Sequence, residues 1–168
     1  VIIKAAAFDR HGQKSRVIDG VFEKQEFRKA EIISTKQNGI NYKFFTGRFR
    51  GADLMDKAKP AQIGITDTIG ALVKNEDGDA GYVFEGYIEV PIDAIYTFYL
   101  SSNDGSKLYI GDYTLVDNDG YISAFTRNGE MIMKSGRIAL AKGLHPITIK
   151  FFDWGSGEFV KAFVEGPD

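Results

Sequence analysis

"YTFYLSSNDGSKLYIGDYTLVDNDG", Tyr96 to Gly120, decides how the chain is read. Aromatic-rich runs alternate there with three clusters of Asp, Asn and Gly. Along the first run Tyr96, Phe98 and Leu100 share one face of a strand, and Thr97, Tyr99 and Ser101 take the other, because successive side chains of an extended chain point oppositely. The clusters carry two readings. Asp and Asn bond their own backbone in tight turns, and the same oxygens are what a calcium ion takes as ligands. Asn103-Asp104 and Asp117-Asn118-Asp119 are the richest oxygen clusters, and residue chemistry alone leaves both readings open.

Strand signals continue outward from this stretch. "YIEV", "IYTFYL", "KLYI", "YTLV", "RIAL", "PITIKFF" and "FVKAFV" are short and apolar or aromatic. In the sixth, Ile147, Ile149 and Phe151 alternate with Thr148, Lys150 and Phe152. Asx-Gly pairs recur at 19–20, 38–39, 77–78, 104–105, 119–120 and 128–129, and such pairs supply the positive φ of tight turns. The Asp104-Gly105 pair is therefore expected to close a hairpin. Seven short strands without a βαβ rhythm predict an all-β fold, an antiparallel β-sandwich or barrel. "DLMDKAKPAQIGI" predicts a helical turn stopped near Pro60, and "DTIGALVKNEDGDAGYVF" reads as loop-rich around a strong turn at Asp77-Gly78.

Ahead of this unit, "VIIKAAAF" and "RVIDGVFEKQ" flank a polar turn and predict an N-terminal β-hairpin. An isolated two-stranded hairpin is marginal in water, so it is expected to pack on something. "EFRKAEIISTKQ" is charged and connective, and its periodicity does not choose between helix and strand. The expected organisation is a hairpin unit over 1–26, a linker over 27–38 and a main domain over 39–168. The start resembles a strand entered partway, as in a piece of a longer protein.

Composition narrows the function. Apolar residues make up 43% of the 168 and aromatics 13%, enough for a real core. No apolar run approaches the roughly 20 residues that span a bilayer. Cysteine is absent, which excludes disulfides and thiolate metal sites. The net charge of −2 divides into +6 over residues 1–60 (13 Lys+Arg, 7 Asp+Glu) and −8 over the remainder (8 and 16). The basic part has no Arg/Lys face with interleaved aromatics, which argues against nucleic acid.

Catalytic signatures are missing. His11 and His145 are far apart and outside any HExxH arrangement, and His145 before Pro146 reads as structural. Gly155 to Gly157 lacks the spacing of a phosphate loop. Counting back from Gly120 or Gly78 places Leu115 or Val73 at the first position of an EF-hand loop, so that template fails. A glycosidase needs two carboxyl groups facing across a cleft, whereas the acids here lie in turns or at strand ends. Trp154, in "FFDWGSGEF" beside Asp153, is either a buried ring at a strand end or an exposed platform for a sugar.

Asn41 to Asp168 resembles the PA14 domain family. "NYKFFTGRF" looks like its opening strand, "YVFEGYIEVPIDAIYTFYL" like its paired central strands, and "SSNDGSKLYIGDYTLVDND" like its most characteristic stretch. "RIALAKGLHPITIKFFDWGSGEFVKAFVEGP" looks like its closing hairpins. The resemblance implies a β-sandwich that accompanies glycoside hydrolases, adhesins or toxins, with glycan as partner. In the fungal adhesin branch two consecutive aspartates hold a calcium ion that coordinates sugar hydroxyls. Asn103 and Asp104 stand at those positions, where Asn keeps an oxygen ligand and removes one charge. The second binding loop of the adhesins falls near Asp153 to Gly157, which adds Asp153 and Trp154 to the expected glycan site. Residues 1–24 are similar to the last strands of the Fn3-like module at the C-terminus of chitobiases and β-hexosaminidases. Both resemblances imply a non-catalytic accessory region of an exported bacterial glycoside hydrolase, with the catalytic domain in the same chain. A spacer or docking domain and a protein-interaction or adhesion module are the alternatives.

Overall fold

The computed structural model describes residues 1–34, 37–73, 78–120, 123–155 and 159–167. Eleven strands lie among them: β1 (Ile2–Ala5), β2 (Ile18–Val21), β3 (Ile40–Thr46), β4 (Gln62–Thr66), β5 (Asp79–Val90), β6 (Ala94–Asn103), β7 (Ser106–Ile110), β8 (Tyr113–Asn118), β9 (Lys134–Leu140), β10 (Gly143–Trp154) and β11 (Phe159–Glu165). One 3-10 helix, Ala52–Lys57, joins β3 to β4. Six strands form a sheet in the order β4-β3-β5-β10-β7-β8, and three form a second in the order β11-β6-β9. Every pairing is antiparallel, so the fold is the expected antiparallel sandwich.

The alternation seen in the sequence builds the core. Tyr96, Phe98 and Leu100 of β6 are buried, and they meet Leu108, Ile110, Ile149 and Phe151 from the larger sheet. Tyr82 stacks on Phe151 at 5.2 Å and on Phe84 at 5.9 Å. Its hydroxyl donates to the Val73 carbonyl and accepts the Val73 N–H, each at 3.0 Å, so the phenol tip is satisfied inside. The opposite face of β10 is covered too. Ala52 and Met55, three apart on the 3-10 helix and therefore on one side of it, pack with Phe45, Val83 and Phe152 in a second cluster.

Several expectations need correcting. Strand β5 starts at Asp79, so the last third of the stretch read as loop is sheet: β3 and β10 bond it on both edges, a tertiary pairing that outweighs its glycines. Strands β5 and β6 are not paired but lie in different sheets. Nor does Asp104-Gly105 close a hairpin, because β6 and β7 also belong to different sheets and the pair carries the chain across. Asp19-Gly20 sits inside β2. Gly39, Gly78, Gly120 and Gly129 do take positive φ, although Asp77 lies outside the described residues. The helical turn before Pro60 is present as the 3-10 helix.

The N-terminal hairpin forms, with Ile2 opposite Val21 and Ala5 opposite Ile18. It differs from expectation in being uncovered. Alternation sends Ile2, Ile3, Ile18 and Val21 to both of its faces, and all four are exposed. The described part of the connective segment, residues 26–34, is neither helix nor strand. It runs extended beside the β9–β10 connection, with the Arg28 N–H bonded to the Ala139 carbonyl at 2.8 Å and the Glu31 N–H to the Leu144 carbonyl at 2.8 Å. Arg28 crosses Gly111 to reach Asp112 at 3.0 Å, leaving no room for a Cβ at Gly111.

Gly111 (φ +59) and Gly129 (φ +80) separate backbone strain from this contact, since a Cβ at Gly129 meets open space. Gly129→Ala should cost about 1–2 kcal/mol for the left-handed conformation alone. Gly111→Ala should lower stability further by dislodging Arg28. Equal melting temperatures for the two variants would mean that the strap adds nothing to the fold.

Candidate functional site

The sandwich crossing at 103–105 brings the four expected ligand residues to one end of the sheets. Asn103 ends β6 opposite Phe159 of β11 and is partly exposed. Asp104 follows it and is only 4% exposed. Its Oδ2 accepts the backbone N–H of Trp154 at 2.6 Å, across 50 residues of sequence. The crossing is locked from the other side as well, because the Phe152 N–H donates to the Gly105 carbonyl at 2.9 Å. Asp153, between these two anchors, is buried at 1% exposure. The remainder of the loop expected at 153–157 lies outside the described residues from 156 onward.

Trp154 is half-buried rather than a bare platform. Its indole N–H donates to the Phe49 carbonyl, its ring lies 5.8 Å from that of Phe152, and the Arg48 guanidinium sits 4.6 Å from its centroid. The strand-end ring and the exposed platform are thus both partly realised. One face is taken by an arginine that the sequence did not single out.

Beside this crossing lies a polar layer. Ser102 Oγ donates to the Asp104 carbonyl at 2.7 Å and approaches Ser106 Oγ at 2.6 Å, while the Asn118 amide donates to Ser102 Oγ at 3.2 Å. Within the 117–119 cluster the roles diverge. Asp117 caps the Asp119 N–H at 3.0 Å, which is turn chemistry. Asp119 accepts the Ala52 N–H at 3.0 Å and the Gly120 N–H at 3.2 Å, fastening the start of the 3-10 helix. A Cβ on Gly105 would stand 2.8 Å from Asp119 Oδ1, so the crossing must carry glycine to admit that carboxylate.

The rim continues into an ionic network that sequence reasoning missed. Lys150 reaches Asp56 at 2.7 Å and Asp53 at 3.0 Å, and Lys107 reaches Asp53 at 2.8 Å. Lys107 also lies 3.5 Å from Asp117 and 3.6 Å from Asp119, and the Tyr109 hydroxyl donates to Asp53. Burial opposes the charge of Asp53, but the hydrogen bonds from Lys107, Tyr109 and Lys150 outweigh it and hold its pKa well below the carboxylate range. Burial and the bond to Asp53 push the Tyr109 phenol up. The hydrogen bond to Asp53 raises Lys107; burial works against Lys150, yet Asp56 and Asp53 still raise it. The only available signal was the placement of Lys107, Tyr109 and Lys150 on outward positions of β7 and β10, and nothing local pointed to the helix opposite.

Calcium needs six to eight oxygen ligands. Among the described residues no three Asp, Glu or His groups are placed to hold a metal ion. One oxygen of Asp104 is already committed to Trp154, and Asn103 contributes no charge. Asn103 and Asp104 by themselves supply too few free oxygens for a calcium ion, and the expected second loop lies outside the described residues from 156 onward. His145 is buried and donates from Nε2 to the Ala141 carbonyl at 2.7 Å, a structural role as expected.

The family model described as PA14 domain matches residues 38–166. No curated protein matches the chain. Among solved structures, the β-glucosidase of Kluyveromyces marxianus in complex with glucose is similar at TM-score 0.59 and 17% identity, over 77% of this chain and 16% of that one. The PA14 sugar-binding domain of an RTX adhesin is similar at TM-score 0.59 and 13% identity, over 76% and 89%. An anti-sigma factor domain-containing protein from Clostridium clariflavum is similar at TM-score 0.58 and 23% identity, over 94% and 53%. The chain thus spans a small part of the glucosidase and most of the adhesin domain.

Two outcomes follow. Asp104→Ala leaves the Trp154 N–H without its acceptor in a buried place, at a cost of about 1–3 kcal/mol measured by urea unfolding. An unchanged midpoint would show that water replaces the carboxylate. The lowered Asp53 pKa contributes stability that is present above about pH 4, the unfolded value, and is lost as pH falls through the folded value. Asp53→Asn should therefore flatten the acid limb of the stability curve, and an unaltered limb would place the acid sensitivity elsewhere.

Proposed function

Because the chain belongs to the PA14 domain family, we propose that it is a non-catalytic carbohydrate-binding module. The convergence of the Asp104 crossing with the Trp154 loop carries this reading. A partly exposed aromatic ring then lies beside polar groups at one end of the sandwich, the combination that grips the apolar face of a sugar and fixes its orientation. The adhesin domain described as sugar-binding and the glucosidase bound to glucose have the same fold, which supports the assignment. A catalytic role is disfavoured because Asp104 and Asp153 are both buried, whereas glycoside hydrolysis needs carboxyl groups on either side of a substrate cleft.

The finer reading is an accessory domain of an exported bacterial glycoside hydrolase, acting on glycans outside the cytoplasm together with a catalytic domain in the same chain. The exposed N-terminal hairpin fits the closing strands of an Fn3-like module in such an arrangement. Binding to a single sugar is weak at a shallow site, and attachment to a catalytic domain raises the effective affinity. The strap at 28–31 favours a second reading, a spacer that holds a neighbouring domain at a set angle, because its backbone is bonded to the sandwich rather than free.

A glycan array, followed by amide chemical-shift mapping of the best sugar, tests the reading. Shifts should cluster at 47–51, 103–105 and 153–155. A blank array would put the spacer first. Calcium at 100 times its dissociation constant would add about 2.7 kcal/mol if a site existed. The expected result is an unchanged melting temperature with calcium or EDTA. A calcium shift abolished by Asp104→Ala would restore the metal-bearing turn.

A further inference from the structure

We infer that the sugar taken at this end is an acidic one, its carboxylate or sulfate held by Arg48 over Trp154. The inference rests on the carbohydrate-binding reading and names the ligand class. It begins with an imbalance of charge. The acids around the crossing are consumed internally: Asp104 by the Trp154 N–H, and Asp119 by the N–H groups of Ala52 and Gly120 with Lys107 nearby. Asp153 is buried out of reach of solvent. Arg48 and Arg50, on the loop that delivers Phe49 to the indole N–H, are exposed, and neither pairs with a carboxylate among the described residues. Beside Trp154 the rim thus presents two exposed arginines, with the partly exposed Asp79 opposite Trp154 on β5.

Geometry adds direction to that charge. The Arg48 guanidinium lies 4.6 Å from the Trp154 ring centroid, which orients the group without using up its donors. The ring is itself fixed by its N–H on Phe49 and its backbone N–H on Asp104. A planar fork held in this way meets a carboxylate or sulfate through two parallel hydrogen bonds, which a lysine ammonium does not reproduce. Trp154 itself is partly exposed, so the apolar face of the same pyranose would meet the edge of the Arg48–indole pair. Neutral sugars lack the group that Arg48 would recognise.

The test compares oligogalacturonate, a sulfated galactan and a neutral galactan by titration against the wild-type chain, Arg48→Gln and Arg48→Lys. The lysine variant keeps a cation over the ring and serves as the folded control, checked by its melting temperature. Acidic oligomers should bind in preference to the neutral one, and the preferred arm tells carboxylate from sulfate. Arg48→Lys should weaken the acidic oligomer about tenfold or more, the scale of a charge-assisted hydrogen bond. Wild-type binding should also fall as salt rises. Equal affinity for neutral and acidic galactans, or no loss in Arg48→Lys, overturns the inference and leaves carbohydrate binding standing. Failure of all three sugars to bind overturns the acidic-sugar inference, while the glycan array decides carbohydrate binding itself.

Discussion

The buried carboxylate of Asp104 is the constraint on which the site end of this molecule depends. A carboxylate inside a sandwich is costly unless hydrogen bonds satisfy it, and here the N–H of Trp154 supplies one at 2.6 Å. That bond joins the end of the small sheet to the end of the central strand of the large one. It acts where β6 and β7 part company, so no ladder hydrogen bond is available to tie the two sheets at that point. Gly105 completes the joint by leaving space for Asp119, which in turn seats the N-terminus of the 3-10 helix. Four segments distant in sequence are held by this one chain of contacts.

The helix it seats explains why β10 is buried on both faces. One face joins the aromatic core between the sheets, and the other carries Phe152 and Lys150 beneath Ala52, Met55, Asp53 and Asp56. Single exposed ion pairs add little to stability. The pairs here share partners, since Asp53 serves Lys107, Lys150 and Tyr109 together. Shared partners make the network a geometric device, fixing the helix over the sheet in one register.

Function follows from what this scaffold leaves unspent. The acids that local sequence marks as ligands are largely employed in holding loops. The cations of the neighbouring loop are left facing solvent beside an aromatic ring. An oxygen-rich turn in the sequence thus becomes, in three dimensions, the mount for a basic and aromatic rim.

Sequence by itself determined the fold class and most strands, because period-two burial needs only neighbouring residues. Tyr96, Phe98 and Leu100 disclosed the inner face of β6 in this way, and His145 disclosed its structural role. It also marked Asp104 and Trp154 without showing that they touch. Tertiary structure alone decided which strands share a sheet: β5 gains its full length from two partners, and Asp104-Gly105 became a crossing because β7 pairs with β10 and β8, never β6. It also decided the partners of Lys107 and Lys150 and the place of Arg48. Long-range pairing and charge contacts depend on distances across the folded chain, and local pattern carries no record of them.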